Sequence, residues 1–179
     1  MKNKLLSLAI ISVMALSLVA CGGSDTKVIE SDSSISSDTA SSDSNTSTGY
    51  VFSYNGIDMP VDSDVAPIIE ALGDPDEYFE SPSCAADGIG KLYTYSDFQI
   101  QTYPDGDQDL ILYVLLRTDN VATAEGIDLS SSKDDIIAAY GEATTESSSA
   151  LQYEKDGMTL QFLFDGDSLI SIEYDSSMN

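Results

Sequence analysis

The sequence predicts an α+β fold: two tandem copies of a short helix plus a three-stranded antiparallel meander, able to run together as one continuous sheet. Three observations predict it. The stretch from Gly126 to Tyr174 opens Gly-Ile-Asp and enters a helical pattern closed by Gly141. A looser copy opens Gly-Ile-Asp at Gly56, closes its helical pattern at Gly73 and ends at Leu116. Both continue into aromatic strands, an Asp-Gly-Asp turn and a long apolar strand. One such unit buries its helix only against its own sheet. Two side by side can extend the sheet or pack its edges, which gives the duplication a physical purpose.

In chain order, residues 1–20 read as a lipoprotein signal peptide. Lys2 and Lys4 supply the positive start, Leu5 to Val19 a mostly apolar run, and Ala20 a small residue before Cys21. A cysteine directly after the cut marks a lipid-modified N-terminus rather than a plain secretory site. The apolar run is short for a membrane span, which needs ~20 residues. Cys21 is therefore the expected lipid-attachment residue, carrying a diacylglycerol whose two acyl chains, such as palmitate, hold the protein at the membrane. Two chains anchor stably where one binds reversibly. The expected location is the extracytoplasmic face of the cell membrane.

Residues 21–49 then form a tether. Ser24 to Gly49 is dominated by Ser, Asp and Thr and has no aromatic residue. Such a segment cannot bury enough apolar surface to offset chain entropy, so it is expected to be disordered. All ten Tyr and five Phe follow it. The folded domain is expected over 50–179, with copies at about 50–118 and 119–175.

Within the first copy, Tyr50 to Tyr54 alternates like a strand and Asn55-Gly56 is a strong hairpin signal. Asp62 to Asp64 can cap a helix whose apolar positions are Val65, Ile68, Ile69 and Leu72. Pro67 fits only its first turn and Gly73 ends it. Lys91 to Tyr95, Phe98 to Tyr103 and Leu110 to Leu116 read as strands, the last a central one because it is nearly all apolar. In the second copy, Ser132 with Asp135 three residues on is a capping-box-like start for a helix over Lys133 to Tyr140. Thr144 to Ala150 reads as polar loop. Leu151 to Glu154, Met158 to Phe164 and Ser168 to Tyr174 read as a second meander.

Composition narrows the function classes. The formal charge is −24, from 31 acidic against 7 basic residues, and loss of Lys2 and Lys4 with the signal deepens it. Nucleic acid is excluded as an expected partner, because it needs basic patches that release counterions. Cationic partners, loosely held divalent cations, or plain solubility outside the cell all suit such a charge. With Cys21 lipidated, Cys84 has no partner for an intrachain disulfide, and a lone cysteine is most often a small buried apolar residue.

Asp105, Asp107 and Asp109 alternate as calcium ligands do. However, Leu110 and Leu116 stand where an EF-hand loop needs its Gly and its closing Glu, so at most a weak millimolar site remains. Histidine, the commonest general base, is absent, and no nucleophile or metal-ligand motif occurs. The expectation is a non-enzyme with no cofactor and no metal. Tyr93, Tyr95, Tyr103 and Tyr153 are the candidate binding surface, since alternate strand positions share a face. The same face could equally be the core beneath the helices.

The pattern carried by Gly126 to Ala143, and more loosely by Gly56 to Pro75, followed by aromatic strands and a closing meander, resembles the β-lactamase-inhibitor-protein-like repeat. The same layout is similar to small outer-membrane assembly lipoproteins of the BamE type. Together with the lipobox, the Ser-rich tether and the Tyr103-Pro-Asp-Gly106 turn, the chain also looks like lipoproteins of anaerobic Gram-positive bacteria. The resemblance implies that Asp105 or Asp107 lies at a turn comparable to the one that such an inhibitor inserts into its target's active site. The chain departs from the inhibitors in lacking their disulfides and tryptophans.

The expected function is a membrane-anchored, non-catalytic binding module for an extracytoplasmic protein or envelope component. The alternatives are an inhibitor of an extracytoplasmic hydrolase acting through the acidic hairpin, and an envelope-assembly scaffold.

Overall fold

The computed structural model describes residues 49–179. The signal peptide, Cys21 and all but the last residue of the tether lie outside the described residues. Phe52–Tyr54 (β1) and Ile57–Met59 (β2) form a separate two-stranded hairpin. Its turn has φ of 53° at Asn55 and 80° at Gly56, the left-handed pair that a tight two-residue hairpin demands. Ala66–Leu72 (α1) follows, then Glu77–Pro82 (β3), Ile89–Thr94 (β4), Phe98–Asp105 (β5) and Gln108–Leu116 (β6). After a long connection come Lys133–Tyr140 (α2), Thr145–Glu146 (β7), Ala150–Lys155 (β8), Met158–Asp165 (β9) and Ser168–Ser176 (β10).

The eight strands from β3 onward form one antiparallel sheet in the order β3-β4-β5-β6-β10-β9-β8-β7. β6 and β10 meet at its centre, with Leu116 opposite Ile172 and Val114 opposite Tyr174. One face carries Phe98, Ile100, Val114, Leu116, Leu160, Phe162, Ile172 and Tyr174, all fully or almost fully buried. Phe52 and Met59 of the hairpin, Val65 and Ile68 of the first helical segment and Ile136 of α2 close over them in a single core. The opposite face carries half-buried polar side chains such as Gln99, Gln101, Gln152 and Gln161. A period of two with one apolar and one polar parity is what an antiparallel sheet covered on one side requires.

The predicted fold class is corrected here. The molecule is mostly β, with a large eight-stranded and a small two-stranded sheet, and not two units of one helix plus three strands. The two helices span only 7 and 8 residues, about two turns each. The two strands the sequence concealed are β3, on a stretch given no element, and β7, inside the segment read as polar loop. Both are edge strands, and their residues are almost all exposed. Alternation arises only when one face of a strand is buried, so neither strand carried the signal.

The start of α1 also differs. Its N-cap is Val65, without a side-chain cap, although Asp64 Oδ1 accepts from the Ala66 N–H at 3.0 Å. Residues 62–65 instead run beside β6: Asp62 N–H donates to Ile111 O and Val65 N–H to Asp109 O. For α2 the capping box is complete, with Ser132 Oγ accepting from the Asp135 N–H and the Asp135 carboxylate accepting from the Ser132 N–H. Cys84, read as buried, is exposed in the loop between β3 and β4. Among the described residues, no helix is long and apolar enough to cross a membrane.

Candidate functional site

The four predicted tyrosines do not form one exposed surface. Tyr153 is buried in the core cluster, where its hydroxyl donates to Gly141 O at 3.1 Å. Tyr95 stacks on Phe98, with ring centroids 5.0 Å apart, and donates to Gly73 O at 3.0 Å. In each case a tyrosine hydroxyl satisfies the carbonyl of the glycine that ends a helix, so the ring is held as structure. Tyr103 is buried near the β5–β6 hairpin and donates to Asp62 Oδ1 at 2.9 Å; burial first, and then that hydrogen bond, push its hydroxyl up to about 12. Tyr93 is half-buried on the helix side of β4 and alone leads outward, to the ring of Tyr78 at 5.1 Å.

The predicted carboxylates lie beyond Tyr103, whose hydroxyl feels the Asp105 charge. Asp105 and Asp107 are exposed at the tip of the β5–β6 hairpin. The third acid of the run, Asp109, is drawn into an ion pair with Lys91, Nζ to Oδ2 2.5 Å. The hydrogen bond to Asp109 holds the Lys91 ammonium above the usual lysine range, outweighing its partial burial. The three acids therefore do not converge, and no group of three metal-binding side chains occurs among the described residues.

What the structure brings together is a margin of the sheet that carries no periodic pattern in the sequence. β3 pairs with β4 on one side only, in the register Tyr78 opposite Tyr93, Phe79 opposite Leu92 and Glu80 opposite Lys91. Phe79 is 63% exposed, Tyr78 49% and Ile89 46%, which makes this margin home to three of the largest exposed apolar side chains described. Alternation along β3 divides its side chains. Tyr78 and Glu80 lie with Tyr93 on the helix side, while Glu77 and Phe79 lie with Leu92 and Thr94 on the polar face.

On that polar face a hollow of about 470 Å³ is lined by Glu77, Tyr78, Phe79, Leu92, Thr94 and Gln99. Gln99 Nε2 donates to Thr94 Oγ1 at 2.9 Å and fixes its floor. On the other face the Tyr78 hydroxyl donates to Glu80, which holds both side chains against the strand. The site thus offers apolar contact, a small half-polar recess, two carboxylates and an unpaired strand edge. The sequence signal for it is an adjacent aromatic pair, Tyr78-Phe79, set between Glu77 and Glu80.

Compared with known proteins, the chain matches no family model, no curated protein sequence and no solved structure. The likeness to the β-lactamase-inhibitor-protein-like repeat rests only on the residues quoted for it.

Proposed function

We propose that this chain is a lipid-anchored extracytoplasmic protein whose folded part is a non-catalytic binding module for another protein or envelope component, and that it engages its partner at the β3–β4 margin. The lipobox at Cys21 supports the anchor. The observation that carries the binding reading is the exposure of Tyr78 and Phe79, adjacent on the edge strand β3 and both lining a hollow, on a protein otherwise covered with acids. Large apolar side chains gathered on one exposed patch mark interaction surfaces, whereas scattered ones do not.

A second reading, inhibition of an extracytoplasmic hydrolase, is supported by the exposure of Asp105 and Asp107 at a hairpin tip. Their Asp-Gly setting is also what any tight turn favours.

Cross-linking capture from native envelopes tests both readings, using the full chain as bait beside Tyr78→Ser/Phe79→Ser and Asp105→Ala/Asp107→Ala forms. Loss of the captured partner with the aromatic pair alone supports the margin. Loss with the aspartates alone, and recovery of one hydrolase, supports the inhibitor instead. Capture that survives both changes sinks both readings. Palmitate labelling that persists in a Cys21→Ser form removes the anchor.

A further inference from the structure

We propose that β3 accepts an added strand: a cationic, extended segment of a partner protein that pairs with Glu77–Ser81 and continues the eight-stranded sheet. The inference rests on the binding-module reading and names its mode and the chemistry of its partner.

Three features of the margin converge. The first is the backbone. β3 is six residues long and pairs only with β4 among the described residues, so its outer edge presents unpaired main-chain donors and acceptors. Pro82 lacks an N–H and ends the available ladder, leaving five residues, or about 17 Å of strand. The second is the recess. An added strand places alternate side chains on the two faces of the sheet, and on one of them the hollow beside Phe79 and Leu92 takes an apolar group. Main-chain bonds that give affinity, with a recess that selects alternate side chains, are the parts from which strand addition is built.

Charge identifies the occupant. On the helix side the same strand offers Glu80 beside the Tyr78 ring, a place for an ammonium or guanidinium. Glu77 adds a second carboxylate at the strand's start, and Lys91, the basic residue opposite Glu80, is engaged by Asp109. A second copy of this chain is the wrong occupant. Antiparallel self-pairing of β3 would bring two acidic strands together, each carrying Glu77 on one face and Glu80 on the other, between two bodies of formal charge −24. The acids that block self-pairing are the ones that select a basic strand.

The experiment uses the full chain in detergent micelles and a synthetic peptide of about eight residues that alternates lysine with valine and phenylalanine. Control peptides carry glutamate for lysine, or N-methyl groups at every second amide to remove main-chain donors. The expected result is binding by the lysine peptide, with exchange of the outward β3 amides slowed at least about tenfold. N-methylation, Phe79→Ser and the charge reversal Glu80→Lys are each expected to weaken it by about tenfold or more, and Glu80→Lys to favour the glutamate peptide.

Equal binding of the N-methylated peptide, or protection that falls elsewhere than β3, overturns strand addition. If envelope capture still depends on Tyr78 and Phe79, the binding-module reading survives that failure. If capture is also indifferent to them, both fall together. Because Phe79 is mostly exposed and Glu80→Lys leaves the aromatic pair intact, weak binding by both variants cannot be put down to unfolding.

Discussion

β3 and β7 hold the same place in the sheet, one at each margin, and share little else. β7 is two polar residues, Thr145 and Glu146, and it is tied down. Lys133 Nζ on α2 reaches Glu146 Oε1 at 2.8 Å, and the Ser147 N–H donates to Ala150 O directly beyond the strand. β3 is three times as long, carries two exposed rings, and has no comparable tie along its outer side among the described residues. Very short polar edges are a common protection against unwanted pairing, and long apolar ones are a liability that proteins usually blunt. One margin of this sheet is closed and the other is left open, so the open one is where selection for a partner is expected to act.

The comparison is sharpest if the interiors next to the two edges are alike. Phe98 packs among Phe52, Tyr54 and Tyr95 on the β3 side, and Phe162 packs against Tyr140 and Tyr153 on the β7 side. Both are fully buried. Phe98→Ala and Phe162→Ala should each cost about 3–5 kcal/mol by urea unfolding, and agree within about 1 kcal/mol. A much cheaper Phe98→Ala would mean that the β3 side is loose throughout, so that its open edge reflects weak packing rather than a surface kept free.

Midway between the edges, Asp175 on β10 gives the next largest effect. It is buried, and burial pushes its carboxyl up to about 6, with Glu173 adding to the rise and a hydrogen bond from Asn179 opposing it. The neutral form is thus favoured in the fold. Its contribution is complete below the unfolded aspartate range and is lost as pH rises through about 6. Relative to the wild type, Asp175→Asn should gain up to about 2–3 kcal/mol at neutral pH and only about 0.5 kcal/mol near pH 4. Urea titrations of both forms at the two pH values check this. An equal gain at both would point to packing instead of charge.

The inner strands were legible in the sequence because each has one face in the core. Phe98-Gln-Ile-Gln and Met158-Thr-Leu-Gln-Phe write the burial pattern directly. The helix start at Ser132 was legible because its hydrogen bonds are local, closed within four residues. The β3 margin was not. Its exposed rings have no sequence-local partner, since Phe79 meets Leu92 only after the chain has turned through an irregular loop. The partner of Tyr103 was hidden for a related reason: its hydroxyl meets Asp62, and Asp62 is also reached by Ser176, a residue 114 positions away. Long-range polar contacts leave no periodic trace.

A smaller substitution acts on one edge through its neighbouring helix. Ser132→Ala removes the cap of α2, the helix that ties down β7, and should cost about 1 kcal/mol. Amide exchange at β7 should quicken with it, while β3 stays as it was. Equal quickening at both edges would show that the sheet opens as one unit and that the tie at Lys133 is not local.

The smallest expected change in stability, within about 0.5 kcal/mol, belongs to Phe79→Ser and Glu146→Ala, because both side chains are exposed. Their difference should appear in association. At about 1 M salt the screening length falls to roughly 3 Å, so repulsion between copies is largely removed. The wild-type chain, carried as a Cys21→Ser form, should then self-associate more than at low salt through β3, by sedimentation velocity over a range of concentrations. Phe79→Ser should abolish that increment because it removes the apolar contact of the open edge. Glu146→Ala should leave it unchanged, because a two-residue edge offers too few main-chain bonds to pair whether or not it carries a charge. If Glu146→Ala instead raises association as much as salt does, then charge alone guards both margins and the contrast in strand length does no physical work. If salt has no effect on the wild type, Glu77 and Glu80 are not what keeps copies of β3 apart, and the case for a cationic occupant loses its electrostatic half.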